Sequence, residues 1–139
     1  MVSKYTALPY KTLDIHAALP YNSEIQTVLF TSNFERRAVK IGLDEADIQN
    51  IAVFLAKDPL AGDLIQGSGG ARKLRFARSN SGKSGGYRTI HYFGSSDVPI
   101  FLMDVIDKRE RANISKAELN TLSTLLSKIA DIYRKGLKL

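Results

Sequence analysis

The stretch "RKLRFARSNSGKSGGYRTIHYF", residues 72–93, decides how this chain is read. Leu74 and Phe76 alternate with Lys73 and Arg75. A strand turns successive side chains to opposite faces, so one face of the segment is apolar and the other cationic. "YRTIHYF", residues 87–93, reads as a second strand, with the glycine- and serine-rich step between them as a hairpin turn. Gly82, Lys83 and Ser84 are also the last three letters of a phosphate-gripping P-loop. That loop needs glycine five residues before Gly82, where this chain has Ala77, and a helix where this chain has a strand. The stretch reads as a basic β-hairpin whose tip residue Lys83 either tracks a phosphate backbone or is a solvated lysine on a mobile turn.

The neighbouring segments supply the rest of the fold. "IFLMDVI", residues 100–106, is almost wholly apolar, as suits a central strand covered on both faces. Ser115 and Glu118 form a capping box, and Leu119, Leu122, Leu126, Ile129 and Tyr133 make the inner stripe of one last long helix. Upstream, "QTVLF" at 26–30 reads as a strand. Thr31 or Ser32 then caps the helix "NFERRAVKI", which Gly42 ends. Asp44 starts a second helix with an apolar stripe at Ile48, Ile51, Ala52 and Leu55, closed by Pro59, and Asp58 to Ala71 reads as a loop. The order β-α-α-β-β-β-α predicts an α+β fold, a small mainly antiparallel sheet packed against helices. Residues 1–25 carry no period and repeat "ALPY" at 7–10 and 18–21. They read as an extended N-terminal arm of unknown role before a single domain at 26–139.

The 139 residues include no cysteine, which excludes disulfides, zinc fingers and thiol nucleophiles, and only two histidines, His16 and His91. No cofactor or metal is expected. No apolar run approaches the ~20 residues of a membrane span and no signal-peptide pattern opens the chain, so a cytoplasmic protein is expected. The net charge is +6, and its placement matters more than its size. Between Leu64 and Ser96 there is no acid, while Arg72, Lys73, Arg75, Arg78, Lys83 and Arg88 all fall there. Clustering of one sign on a strand-forming segment points to a polyanionic partner, nucleic acid first, with an acidic protein as the alternative.

The series "GARKLR", a glycine-rich hairpin, "GGYRTIHYF", "IFLMDVIDKRER" and a final helix resembles the RelE/ParE superfamily of bacterial type II toxins, especially its HigB-like members. The match runs from about Val28 to Arg134, and "SGGYR" and "KRER" are its most specific parts. The resemblance implies a ribosome-dependent endoribonuclease that cleaves messenger RNA without a metal by attack of a ribose 2′-hydroxyl on the adjacent phosphodiester. It also implies an acidic antitoxin partner, through which a toxin–antitoxin complex binds operator DNA. By position Lys73, Arg75, Arg88 and Arg109 match the family's catalytic cations, with Arg72, Arg78, Lys83, Tyr87, Lys108 and Arg111 as RNA-contacting candidates. Arginine grips phosphate oxygens in a fork, and a lysine among other cations can serve as a base. Where several members carry a tyrosine after the second basic cluster, this chain has Asn113, Ile114 and Ser115, which leaves the general acid unassigned. His91 falls on the opposite strand face from Arg88 and reads as a core histidine. A ParE-like gyrase inhibitor or an inactive binding relative stays open as the alternative, since one fold hosts both.

Overall fold

A computed structural model describes residues 26–78, 86–111 and 113–136; the N-terminal arm and Lys83 lie outside them. Five strands form one sheet in the order β1-β5-β4-β3-β2: β1 Val28–Phe30, β2 Asp63–Leu64, β3 Arg72–Phe76, β4 Tyr87–Tyr92 and β5 Ile100–Asp107. β1 runs parallel to β5, and the other pairings are antiparallel. β5 is buried along its whole length, as its apolar run requires.

Helix α1, Ser32–Lys40, starts at Thr31, whose hydroxyl accepts the Phe34 N–H at 3.2 Å. Helix α2, Glu45–Lys57, starts with a capping box between Asp44 and Asp47. Phe34 and Ala38 of α1 and Ile51, Leu55 and Ala56 of α2 pack on one face of the sheet against Phe30, Tyr87, Leu102 and Val105, with Leu74 and Phe76 at the margin. Helix α3, Lys116–Leu126, and helix α4, Ile129–Arg134, cover part of the other face through Leu126 and Ile129, which meet Ile90, Phe101, Met103 and Ile106. No helix among the described residues is long and apolar enough to cross a membrane.

Two local readings change. The segment expected to be a loop from Asp58 to Ala71 contains the two-residue strand β2, which pairs Asp63 with Lys73 and Leu64 with Arg72. The single last helix is two. Lys128 takes a non-helical φ of −136°, and the Ser127 hydroxyl bonds the Thr124 carbonyl at 2.7 Å instead of leaving the backbone to extend the ladder. A bulge also interrupts the β4–β5 ladder: Ile90 pairs with Asp104 and His91 with Leu102, leaving Met103 as the extra residue. The start of α1 is fastened there, with the Thr31 hydroxyl donating to the Leu102 carbonyl at 3.0 Å and the Asn33 amide to the Met103 carbonyl at 2.9 Å.

Candidate active site

The ladder registers generate the site. Arg75 lies directly opposite Arg88, Lys73 opposite Ile90, and Arg88 opposite Ile106. These residues share the face away from α1 and α2, because the alternating Leu74 and Phe76 pack toward those helices. α3 and α4 cover this face only over the apolar group around Ile90 and Phe101. Beyond them an open hollow of about 290 Å³ is lined by Lys73, Arg75 and Arg88 together with Leu74 and Asp63. Arg75 is exposed, and its side chain makes no ion pair or hydrogen bond among the described residues. The Lys73 ammonium reaches the Asn113 side-chain oxygen at 3.5 Å. Three cations around an open hollow, two of them arginines on adjacent strands, make a site for a phosphate group.

The fourth expected cation is held elsewhere. Arg109 follows β5 in a turn, and its guanidinium contacts Asp107 through Nη2 at 2.9 Å and Nε at 3.2 Å, while its N–H also donates to that carboxylate at 2.9 Å. Asp107 pairs with Tyr87 across the ladder, which places it on the α1–α2 face, opposite to the hollow. Arg109 above all, with Arg78 also near, holds the Asp107 carboxyl down to about 2. The sequence thus brings Lys73, Arg75 and Arg88 together but leaves Arg109 paired at the strand end.

The further RNA-contacting candidates divide by environment. Tyr87 is fully buried, its ring stacked 5.8 Å from Phe76, and its hydroxyl has no partner among the described residues, so its reading as an RNA-contacting residue does not fit; it is a core residue. Burial raises its pKa. Arg78 is also enclosed, its side chain 8% exposed, bonded to Asp107 at 3.0 Å and 6.0 Å above the Tyr87 ring. Arg72 donates to the Gly62 carbonyl at 3.0 Å. Arg111 is paired with Glu118, which also receives Arg37 at 3.0 Å. Lys108 is exposed. His91 is buried against the Pro59 carbonyl, 3.0 Å from Nε2, and burial lowers its pKa, so it is a neutral core group.

Sequence reasoning missed Asp63. It is the last acid before the acid-free segment, and a single Asp in a glycine-rich loop carries no periodic signal; only the strand register reveals its position. A larger groove of about 810 Å³ lies between α1, β5 and α3; Arg37 within it bonds both Asp104 and Glu118, and Arg36 and Lys40 also line it. The family model described as RelE toxin of RelE / RelB toxin-antitoxin system matches residues 26–139, which include every strand and helix described above. The chain belongs to the RelE toxin family: it is the toxin of a toxin-antitoxin system.

Proposed function

We propose that the protein is a ribosome-dependent endoribonuclease that cleaves messenger RNA by attack of a ribose 2′-hydroxyl on the neighbouring phosphodiester, without a metal ion. RelE family toxins are generally translation-inhibiting ribonucleases. The observation that carries the reading is the hollow formed by Lys73, Arg75 and Arg88. Attack by the 2′-oxygen adds charge to the non-bridging phosphate oxygens, and cations fixed in advance at that point stabilise it most. Arg75 and Arg88, directly opposite each other, clamp the scissile phosphate; Lys73 supplies further positive charge toward the ribose. Arg109 joins them from the turn after β5 only by leaving Asp107. The residues 26–139 act as one domain, and the antitoxin silences it by neutralising this face or by keeping it from the ribosome.

Primer extension on a message being translated in vitro, with the purified toxin added, tests the reading. Cuts within the translated frame that persist in EDTA with intact ribosomes support it. An uncut message combined with inhibition of DNA gyrase would replace it with a non-catalytic function.

A further inference from the structure

We propose that Asp63 is the proton acceptor for the attacking 2′-hydroxyl, an assignment that rests on the ribonuclease reading above. Asp63 is the one carboxylate lining the hollow among the described residues, and it shares that hollow with Lys73, Arg75 and Arg88. Strand β2, which carries it, is two residues long and exposed at both, so the burial of apolar surface does not explain why the chain pairs there. Its placement is nevertheless constrained. Gly62 has a φ of +92°, and a Cβ there would lie 2.3 Å from the Lys73 carbonyl oxygen, so the backbone approaches β3 more closely than any side chain allows. The Arg72 guanidinium holds the Gly62 carbonyl at 3.0 Å, and the ladder then sets Asp63 opposite Lys73.

Asp63 has no ion pair among the described residues, since the Lys73 ammonium is directed to Asn113 instead. A fixed backbone with an exposed, uncommitted carboxylate beside three cations suits an acceptor that works on a bound group. The spacing agrees. Lys73 and Arg75 are two residues apart on one face, about 6.6 Å along the strand. A phosphate clamped by Arg75 and Arg88 therefore has its adjoining ribose over the Lys73–Asp63 pair, with the 2′-oxygen about 3 Å from phosphorus in the attacking geometry.

The step balances. The Asp63 carboxylate takes the 2′-hydroxyl proton as the bond from the 2′-oxygen to phosphorus forms. The bond from phosphorus to the 5′-oxygen breaks, its electron pair leaves with that oxygen, and the oxygen takes a proton from water. Asp63 returns its proton to solvent. The products are a 2′,3′-cyclic phosphate and a 5′-hydroxyl, with no net gain or loss of electrons.

The test is single-turnover cleavage of ribosome-bound message by the full-length wild type, Asp63→Asn and Asp63→Glu, measured across pH, with and without added formate. Asp63→Asn is expected to lower the rate by about 10² to 10⁴, the usual worth of a positioned acid–base group, with ribosome binding and thermal stability unchanged. It is also expected to lose the acidic limb of the pH profile and to regain rate with formate, while Asp63→Glu keeps the limb at a reduced rate. Retention of the wild-type rate by Asp63→Asn, or a slower variant with an unchanged pH profile and no response to formate, overturns the assignment while the ribonuclease reading stands. Failure of the wild type itself to cleave overturns both.

Discussion

Arg109 closes a two-point pair on Asp107, with Nη2 2.9 Å from one carboxylate oxygen and Nε 3.2 Å from the other. Arg78 occupies the same carboxylate at 3.0 Å, so one acid on the α1–α2 face ties down two cations. Their exposures differ sharply, at 60% for the Arg109 side chain and 8% for that of Arg78. Replacing Asp107 by Asn leaves the enclosed Arg78 without its counter-charge and is expected to destabilise the fold by about 2–4 kcal/mol. Arg109→Ala, acting on an exposed group, is expected to leave the denaturation midpoint nearly unchanged. Urea unfolding of the two variants checks the contrast, and equal losses would contradict it.

In the cleavage reaction, Arg75→Ala and Arg88→Ala are each expected to lower the single-turnover rate by about 10² to 10³, the cost of one contact to developing transition-state charge. Arg109→Ala is expected to cost less, about tenfold, because any contact Arg109 makes with RNA must first replace its pair with Asp107. Primer extension with folded variants on a translating message measures all three. Rates near wild type for Arg75→Ala and Arg88→Ala would remove the phosphate clamp.

Acid should weaken the fold through Glu118. Its hydrogen bonds from Arg111, reinforced by the Ser115 N–H, hold its carboxyl near 2, below the ordinary 4.5. A carboxylate depressed in the folded state contributes stability that is full above about 4.5 and is lost as pH falls toward 2. Asp107 adds a loss of the same sign between 3.8 and about 2. Unfolding free energy measured from pH 6 to pH 2 should therefore fall with pH, and Glu118→Gln should fall less steeply. A parallel slope in the variant would show that the Glu118 pairs contribute nothing.

Tyr87→Phe removes a buried hydroxyl that has no hydrogen-bond partner among the described residues. The expected result is an unchanged fold or a gain of up to about 1 kcal/mol, since the oxygen is desolvated without compensation. Cleavage should be unaffected. Tyr87→Ala, which opens a cavity beside Phe76, should instead cost about 3–5 kcal/mol. Calorimetry separates these outcomes, and a large loss in Tyr87→Phe would mean that the hydroxyl is satisfied in solution.

Alternation made the β3–β4 hairpin and the cationic parity of Lys73 and Arg75 legible, and the Asp44 and Ser115 caps marked both helix starts, because these are local patterns of period two or of three-residue spacing. The parallel pairing of β1 with β5 left no local trace, since its determinants lie in tertiary packing. Arg109 was readable as a cation of the right sequence position, but its orientation depends on Asp107, two residues away and itself placed by the ladder. Tyr87 illustrates the same limit. An aromatic at a strand start has the same letter whether it faces RNA or Phe76, and only the register decides.

The parallel β1–β5 pairing also sets an order of assembly. β2, β3, β4 and β5 join through neighbours in sequence, so the hollow can form from contacts made early, whereas Val28 must find Ile100. Closing a loop of that length costs about 4 kcal/mol in chain entropy before the contact returns anything. During synthesis, β1 and α1 emerge from the ribosome well before their sheet partner exists. β3 and β4 are thus expected to pair before β1 docks on β5, and pulse-labelling of amide hydrogens during refolding should find β3 and β4 protected before β1.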